Sequence, residues 1–534
     1  KPQFHFLPKS NWMNDPNAPF YDEETGLYHL MYQYLTPRVW GHAISTNMAD
    51  WKILGTALNY TEEWYTQVPG AMPGVYSGSA TIMRGTVEQR SQVWLSASTP
   101  TNDMMLLAYP ASLADPTLEN WTWDSLNPVI YATSNETNGI PPPGRDPTEF
   151  WPCGQEGDNQ WCVAYATQLS EGCPCSGVSG MAIFSAVFYD SAPMSPLSWG
   201  SWNFEGYMLN DTAGAVMWEC VDFFPLNDDD EDPFAESVWM LKYSIGPGPS
   251  LVHDNYRFLF LYLIDLCDRY TLPWGNPGPR DYYVTGVYDP KGKVAFDVDD
   301  SLWDEAMQRD TSVALDNGAF YASKTFLSDA YGRVLWGWLP EERPSDGYGE
   351  PFGWAGAMSL PRQVIPYRNG SYGSWMVRTP PVEAVLENIR TDSVVQSGIV
   401  LRGTEYVSLV GISGQQVEVL LHIDTTAMNV GDQCGVRVLS SLDISPESAE
   451  YTDIGLTYFV ETEGSSLTLS VDPSNSCSDA SAKVNRTISS TAPLHNDFIT
   501  DAGNVDLRVI IDHSVVESFL AGGRRATTRR VYPS

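Results

Sequence analysis

Three short acidic segments stand out in this chain of 534 residues: Trp12-Met13-Asn14-Asp15-Pro16-Asn17, Arg145-Asp146-Pro147 and Trp218-Glu219-Cys220. Each sets one carboxylate among aromatic, Asn, Arg or Pro residues. Cleaving a glycosidic bond calls for such a set: one carboxylate to attack the sugar carbon, one to protonate the leaving oxygen, and a third to steady the positive charge between them. The neighbours suit that chemistry. Asn side chains beside Asp15 can donate hydrogen bonds that favour its ionised form. Met217 and Trp218 offer an apolar wall that would raise the pKa of Glu219. Arg145 can keep Asp146 ionised and bond sugar oxygens as well. Taken singly, each segment has an ordinary reading too: an Asx turn around Asp15, a surface charge at a strand end for Glu219, a structural salt bridge for Arg145 and Asp146. Together they point to carbohydrate chemistry.

Carboxylates this far apart in sequence need a rigid scaffold to gather them. Helical periodicity is scarce, and short alternating runs are abundant, among them Gln92–Ser96, Trp161–Tyr165 and Val238–Lys242. Gly, Pro, Asn and Asp clusters bound these runs, which predicts many short antiparallel strands. No clean internal repeat is visible. A boundary falls near Thr379-Pro380-Pro381, and helix-friendly residues follow from Val382 to Ile389. Beyond it, Gln416–Leu421 and Leu507–Ile511 alternate as sandwich strands do.

Composition narrows the class. A chain with 43% hydrophobic and 12% aromatic residues is globular, and its length asks for more than one domain. A net charge of −36 repels phosphate backbones and anionic lipid, so nucleic acid and membrane are poor partners. The longest apolar run, Phe258 to Ile264, is far below the roughly 20 residues of a membrane span and reads as a buried strand. Asp228–Asp232 reads as a solvated acidic loop, since a central Gly with cation-ligand spacing is absent. The seven His residues are scattered without paired spacing, which leaves no metal site and no cofactor to expect. Six N-x-S/T sequons, at Asn59, Asn120, Asn135, Asn210, Asn369 and Asn485, lean towards a secreted glycoprotein. The start at Lys1 without Met fits a removed leader. Most of the 19 Trp residues read as core, while some can stack on sugar rings. Among eight Cys, Cys434 and Cys477 pair as a candidate disulfide because they alone occupy the last quarter. Cys153 and Cys162 can close a short hairpin loop, and Cys220 reads as a buried free thiol.

The three segments, in this order, resemble the invertase and β-fructofuranosidase family of glycoside hydrolases. More of the chain supports the match: Tyr28–Tyr34, Trp40–Ser45, Tyr76–Ala80, Asp316–Gly318, Phe320–Lys324, Trp336–Trp338, Gly353–Gly356 and Asp512–Phe519. The resemblance implies an all-β fold, a five-bladed β-propeller over residues 1–379, then a linker over 380–391 with a short helix, and a β-sandwich over 392–534. It implies Asp15 as nucleophile, Glu219 as acid/base and Asp146 as transition-state stabiliser. Asn14, Gln33, Trp40, Ser77 and Arg145 become substrate-binding candidates. Two departures concern substrate choice. Ala18 follows Asn14-Asp15-Pro16-Asn17 where Gly is common, and Val221 stands after Glu219-Cys220 where Pro is common. The Val form is similar to plant vacuolar invertases and some fructosyltransferases.

The expected activity is therefore retaining cleavage of sucrose and short fructans, with fructosyl transfer at high sucrose, by a eukaryotic and specifically fungal-type enzyme. It is expected outside the cell, at the cell wall or in a vacuole, and as a homodimer if it assembles at all. A dedicated fructosyltransferase shares the same intermediate and stays open. A non-catalytic fructan-binding lectin would be expected to lack one of the three acids. A metal-dependent hydrolase would need the clustered His ligands that the chain does not have.

Overall fold

The computed structural model describes residues 1–35, 38–60, 74–83, 92–99, 104–130, 144–168, 179–189, 199–211, 218–226, 237–245, 280–299, 314–341, 353–368, 375–403, 405–411, 413–426, 428–441, 450–461, 464–477, 488–492 and 503–533. Phe258–Ile264 and the acidic run at 228–232 lie outside these residues, as do Met217, Cys173, Cys175, Cys267, Asn135, Asn369 and Asn485.

Five antiparallel sheets follow one another along the chain and form the blades of a propeller. Blade I holds Asn11–Asp22, Leu27–Tyr34, Val39–Ser45 and Lys52–Leu58; blade II holds Tyr76–Met83, Gln92–Ser98, Met105–Pro110 and Trp121–Trp123. Blade III is built on Gly144–Arg145, Trp151–Pro152, Gln160–Gln168, Ser179–Val187 and Asn203–Asp211. Blade IV has Trp218–Pro225, Ser237–Ile245, Arg280–Asp289 and Ala295–Val298, and blade V has Tyr321–Ser328, Gly332–Leu339, Ala357–Met358 and Arg362–Gln363. The ring closes where Trp354–Ala355, from the blade V stretch, pairs in parallel with Asn11 and Trp12 of blade I.

Apolar side chains fill the spaces between successive blades. One cluster joins blades I and II through Phe20, Trp40 and Leu95, and another joins II and III through Trp94, Phe150 and Val163. Blades III and IV meet at Trp151, Trp218 and Phe223; blades IV and V meet at Phe224, Met240 and Leu335. The inner blade strands are therefore covered on both faces, and Val39–Ser45 and Gln92–Ser98 are buried at every residue, whereas outer strands such as Lys52–Leu58 are largely exposed. Strands buried on both faces need not alternate apolar with polar residues.

After a hairpin (Ile365–Arg368 with Trp375–Arg378), the helix Glu383–Ile389 packs Val385 and Leu386 into a cluster shared by blades I and V and the sandwich. Two four-stranded sheets then form the sandwich: Gln416–Asp424, Asn504–Asp512, Val515–Leu520 and Arg525–Arg530 face Gln433–Val438, Thr452–Glu461, Gly464–Asp472 and Ile488–Ala492. A buried polar knot ties sandwich to propeller. His5 meets Asp512 at 2.9 Å and Glu517 at 3.0 Å, and Arg362 of blade V bonds both Glu517 and Asp316.

Cys153 and Cys162 form a disulfide across a short loop of blade III, as the hairpin reading expected. Cys434 and Cys477 do not pair, and both are free thiols. The register explains why. Cys434 faces Leu456, which faces Leu469 one strand further on, so a whole strand stands between Cys434 and the strand that leads to Cys477. Two strand spacings come to about 10 Å, beyond the roughly 7 Å that a disulfide spans between Cα atoms. Cys477 also lies past the end of that strand at Asp472.

Candidate active site

The first strand of every blade carries a polar residue at or near its start, and these starts share one end of the propeller axis. Asp15 comes from blade I, Ser77 from blade II, Asp146 from just after Gly144–Arg145 of blade III, Glu219 from blade IV and Tyr321 from blade V. The pairing slips at the same place in several blades: between Met13 and Pro16, Tyr76 and Gly78, Glu219 and Asp222, and Tyr321 and Lys324. Left-handed backbone accompanies two of these bulges, at Cys220 and Ala322; it recurs at Ala18, in a second slip of blade I between Asn17 and Phe20, and at Asp146 after the short strand of blade III. A bulge bends a strand and re-aims its side chains, which turns carboxylates out of the pleat towards the axis. At Ala18 (φ 40°) a Gly would take this backbone without strain, which accounts for the preference for Gly at that place.

Asp15 is wrapped in donors. Ser77 Oγ donates to its Oδ2 at 2.6 Å, Asn14 Nδ2 to its Oδ1 at 2.9 Å, and Gln33 Nε2 to its Oδ2 at 3.3 Å. Gln33 also accepts from Asn14 at 2.8 Å and donates to Ser77 at 2.7 Å, so the three form one network. Asp146 is buried and accepts from the Cys220 backbone N–H at 2.8 Å, while the Cys220 thiol lies 3.7 Å from Asp15 Oδ2. Cys220 thus spans the two aspartates. On Glu219, Arg145 Nη1 donates to Oε1 at 3.1 Å and the Tyr321 hydroxyl donates to Oε2. Glu219 and Arg145 keep 29% and 27% of their side-chain surface exposed, so this edge of the cluster is open.

Burial is the main force on both outer carboxyls, and it raises the pKa of each. For Asp15 the nearby Asp146 adds to the rise, while Ser77, Arg38 and Asn14 oppose it. For Glu219 Arg145 opposes the rise, Asp146 and Asp15 add to it, and the Tyr321 hydrogen bond opposes it. Burial also drives the Cys220 thiol well up, so it stays neutral.

Two buried lysines brace the cluster from below. Lys324 Nζ bonds Ser79 Oγ at 2.9 Å, the Val221 carbonyl at 2.8 Å and Asp222 at 3.0 Å, which links blades II, IV and V. Lys242 bonds the carbonyls of Cys220 and Ser323.

Of the sequence-predicted residues, Asp15, Asp146, Glu219, Asn14, Gln33, Ser77 and Arg145 come together here. Trp40 does not line the opening: its ring is fully buried between blades I and II, and its Nε1 donates to the Tyr76 carbonyl at 3.1 Å. The apolar wall expected from Trp218 is also absent beside Glu219. Neighbouring strand residues face opposite ways, and Trp218 stacks on Tyr243 in the blade core at 4.4 Å. The partner that sequence reading missed is Tyr321, whose segment read only as a strand. Asn59 and Asn120 are exposed, and Asn210 lies in the strand Asn203–Asp211. Among the described residues no three His, Cys, Asp or Glu side chains are grouped to hold a metal ion, and no helix is long and apolar enough to cross a membrane.

A propeller with a carboxylate cluster at one axial end, followed by a sandwich, defines a class of glycoside-cleaving enzymes. Residues 5–373 match the N-terminal domain of glycosyl hydrolases family 32, and residues 383–534 match that family's C-terminal domain. The chain belongs to glycosyl hydrolases family 32. It is 31% identical to β-fructofuranosidase 1 of Zea mays over 99% of this chain and 74% of the maize protein. It is 30% identical to the acid β-fructofuranosidase of Vicia faba, over 99% of this chain and 76% of that one. Fructan 1-exohydrolase IIa of Cichorium intybus, solved as a Glu-to-Gln variant with 1-kestose, superposes with a TM-score of 0.74 at 25% identity, covering 100% of this chain and 92% of that chain. These relatives are plant proteins, so the leaning towards a fungal source finds no support in them.

Proposed function

We propose that this protein is a retaining β-fructofuranosidase that cleaves sucrose and short fructans through a covalent fructosyl-enzyme. The observation that carries the reading is the meeting of Asp15, Asp146 and Glu219, from three different blades, with Cys220 between the two aspartates and Arg145 on the glutamate. In the first half-reaction the Glu219 carboxylic acid gives its proton to the glycosidic oxygen as the Asp15 carboxylate bonds to the anomeric carbon and the C–O bond breaks. In the second, the Glu219 carboxylate takes a proton from water, the water oxygen bonds to that carbon, and Asp15 leaves. Asp146 stabilises the positive charge that develops on the ring. The donors on Asp15 favour its ionised form, and burial helps Glu219 to keep a proton.

The relatives named as β-fructofuranosidases support sucrose as substrate, and the chicory exohydrolase supports short fructans. A sugar hydroxyl can replace water in the second half-reaction, so a dedicated fructosyltransferase stays the second reading. A lectin is disfavoured because all three acids are present. The Cys153–Cys162 disulfide and the exposed sequons at Asn59 and Asn120 support an extracellular or vacuolar site of action.

Mass spectrometry of a peptide digest tests the mechanism. The Glu219→Ala variant, quenched during turnover of a fructosyl donor with a good leaving group, should carry one fructosyl unit on the peptide that holds Asp15. A label on another peptide, or sucrose cleavage at the wild-type rate by Asp15→Ala, would sink it.

A further inference from the structure

Arg145 can only donate hydrogen bonds, so its contact with Glu219 Oε1 suits the carboxylate and opposes the carboxylic acid. A group that must be acid in one half-reaction and base in the next needs a partner that tolerates both states. Tyr321 is that partner by its chemistry, because a phenol hydroxyl donates to a carboxylate oxygen or accepts from a carboxylic acid with no movement of heavy atoms. The strand around it is held tightly. Asp281 accepts from the backbone N–H groups of Ala322 at 3.1 Å and Ser323 at 2.7 Å. Lys242 grips the Ser323 carbonyl and lies 3.6 Å from Asp281. The Tyr321 ring packs against Cys220, Ala322 and Trp338, and its own ionisation is suppressed, chiefly by burial.

We propose that Tyr321 is the positioning residue for the acid/base: it anchors Glu219 Oε2 in both protonation states and leaves Oε1, on the open side with Arg145, to exchange the proton with the substrate. This rests on the β-fructofuranosidase reading and names a residue that reading does not require. The groups that face Glu219 are Arg145 and Asp146 from blade III, Asp15 from blade I and Tyr321 from blade V. Those that face Tyr321 are Glu219, Cys220 and Asp281. Of these, Tyr321 is the one whose removal takes a hydrogen bond from Oε2 without changing a charge.

The test compares wild type, Tyr321→Phe and Glu219→Gln on sucrose and on β-fructofuranosyl fluoride, whose leaving group needs no proton. For Tyr321→Phe, kcat/KM on sucrose should fall about tenfold or more, mostly through kcat, while kcat/KM on the fluoride changes less than about threefold. The hydroxyl favours ionised Glu219, so its loss should also move the basic limb of the sucrose pH profile to higher pH. Equal losses on the two donors, a wild-type ratio between them, or an unmoved basic limb would each overturn the assignment. If Glu219→Gln spares sucrose, or wild type does not cleave it, the functional reading fails instead.

Discussion

Burial raises the pKa of both Asp15 and Glu219, yet the proposed mechanism needs them in opposite protonation states at the start of turnover. Their partners distinguish them. Asp15 has three neutral donors fixed by one another, whereas Glu219 has one cation at a half-open edge and one phenol that can donate or accept. Truncating either carboxyl should remove an obligatory step. Asp15→Ala and Glu219→Ala should each lower kcat on sucrose by about a thousandfold or more, and Asp146→Ala by about a hundredfold or more. Circular dichroism should show an unchanged fold, and kcat within tenfold of wild type for any of the three would refute its role. Asp15 was legible in the sequence because its chemistry is local, with Asn14 beside it donating as expected; Arg145, read as the partner of Asp146, instead donates to Glu219 across the blade boundary. Tyr321 was not legible, since it meets Glu219 from a different blade and nothing in its own segment marks it.

At the scale of the element, bulged inner strands do the positioning, and residue type hardly announces them. The left-handed positions fall on Ala18, Asp146, Cys220 and Ala322, none of them Gly. Burial on both faces also blurs alternation as a guide to which face is which: Gln92–Ser96 read as an alternating run, yet Gln92–Ser98 is buried at every residue. The free Cys434 and Cys477 teach the same lesson, because pairing them by position in the sequence ignored the strand between them. What holds the bulges is buried charge. Lys324→Met strands Asp222 without its partner and should cost about 3–5 kcal/mol in urea unfolding, with partial recovery in Lys324→Met/Asp222→Asn. No loss in the single variant would show that the lysine is not a brace. The knot under the sandwich makes a second prediction. Burial alone would lower the His5 pKa, but Asp512 and Glu517 outweigh it and raise it to about 9. Burial likewise pushes Glu517 up, and Arg362 and His5 outweigh it and bring it down to about 2. The His5 contribution is complete below the unfolded value of 6.5 and is lost as pH rises through about 9; that of Glu517 is complete above 4.5 and is lost as pH falls towards about 2. Melting temperature should therefore peak between pH 4.5 and 6.5 and fall on the alkaline side, with on the order of 3 kcal/mol at stake in His5. His5→Gln should flatten the alkaline fall; an unchanged slope would place the loss elsewhere.

For the whole molecule, the ring of five blades delivers five strand starts to one axial end, and the open edge lies at Glu219 and Arg145. The leaving group must depart on that side, and the next acceptor must arrive there. A retaining mechanism requires the Asp15 and Glu219 carboxyl groups to stand about 5–5.5 Å apart, and β-fructose to be the first-formed anomer. In the proposed mechanism the fructosyl unit waits on Asp15 between the two half-reactions, with the Glu219–Arg145 edge open to solvent. Water and sugar hydroxyls then compete for it, and raising sucrose raises the share captured by sugar. Trp12 and Trp338 meet edge to face at 5.5 Å between blades I and V, and Trp338 packs against Tyr321; an acceptor ring that stacked on either would be held beside the site. At near-saturating sucrose the products should therefore include trisaccharides, and glucose should exceed free fructose. Chromatography through the course of the reaction decides the point. Equal glucose and fructose at every conversion, with no trisaccharide, would mean that water alone reaches the intermediate, and the transfer reaction would have to be dropped.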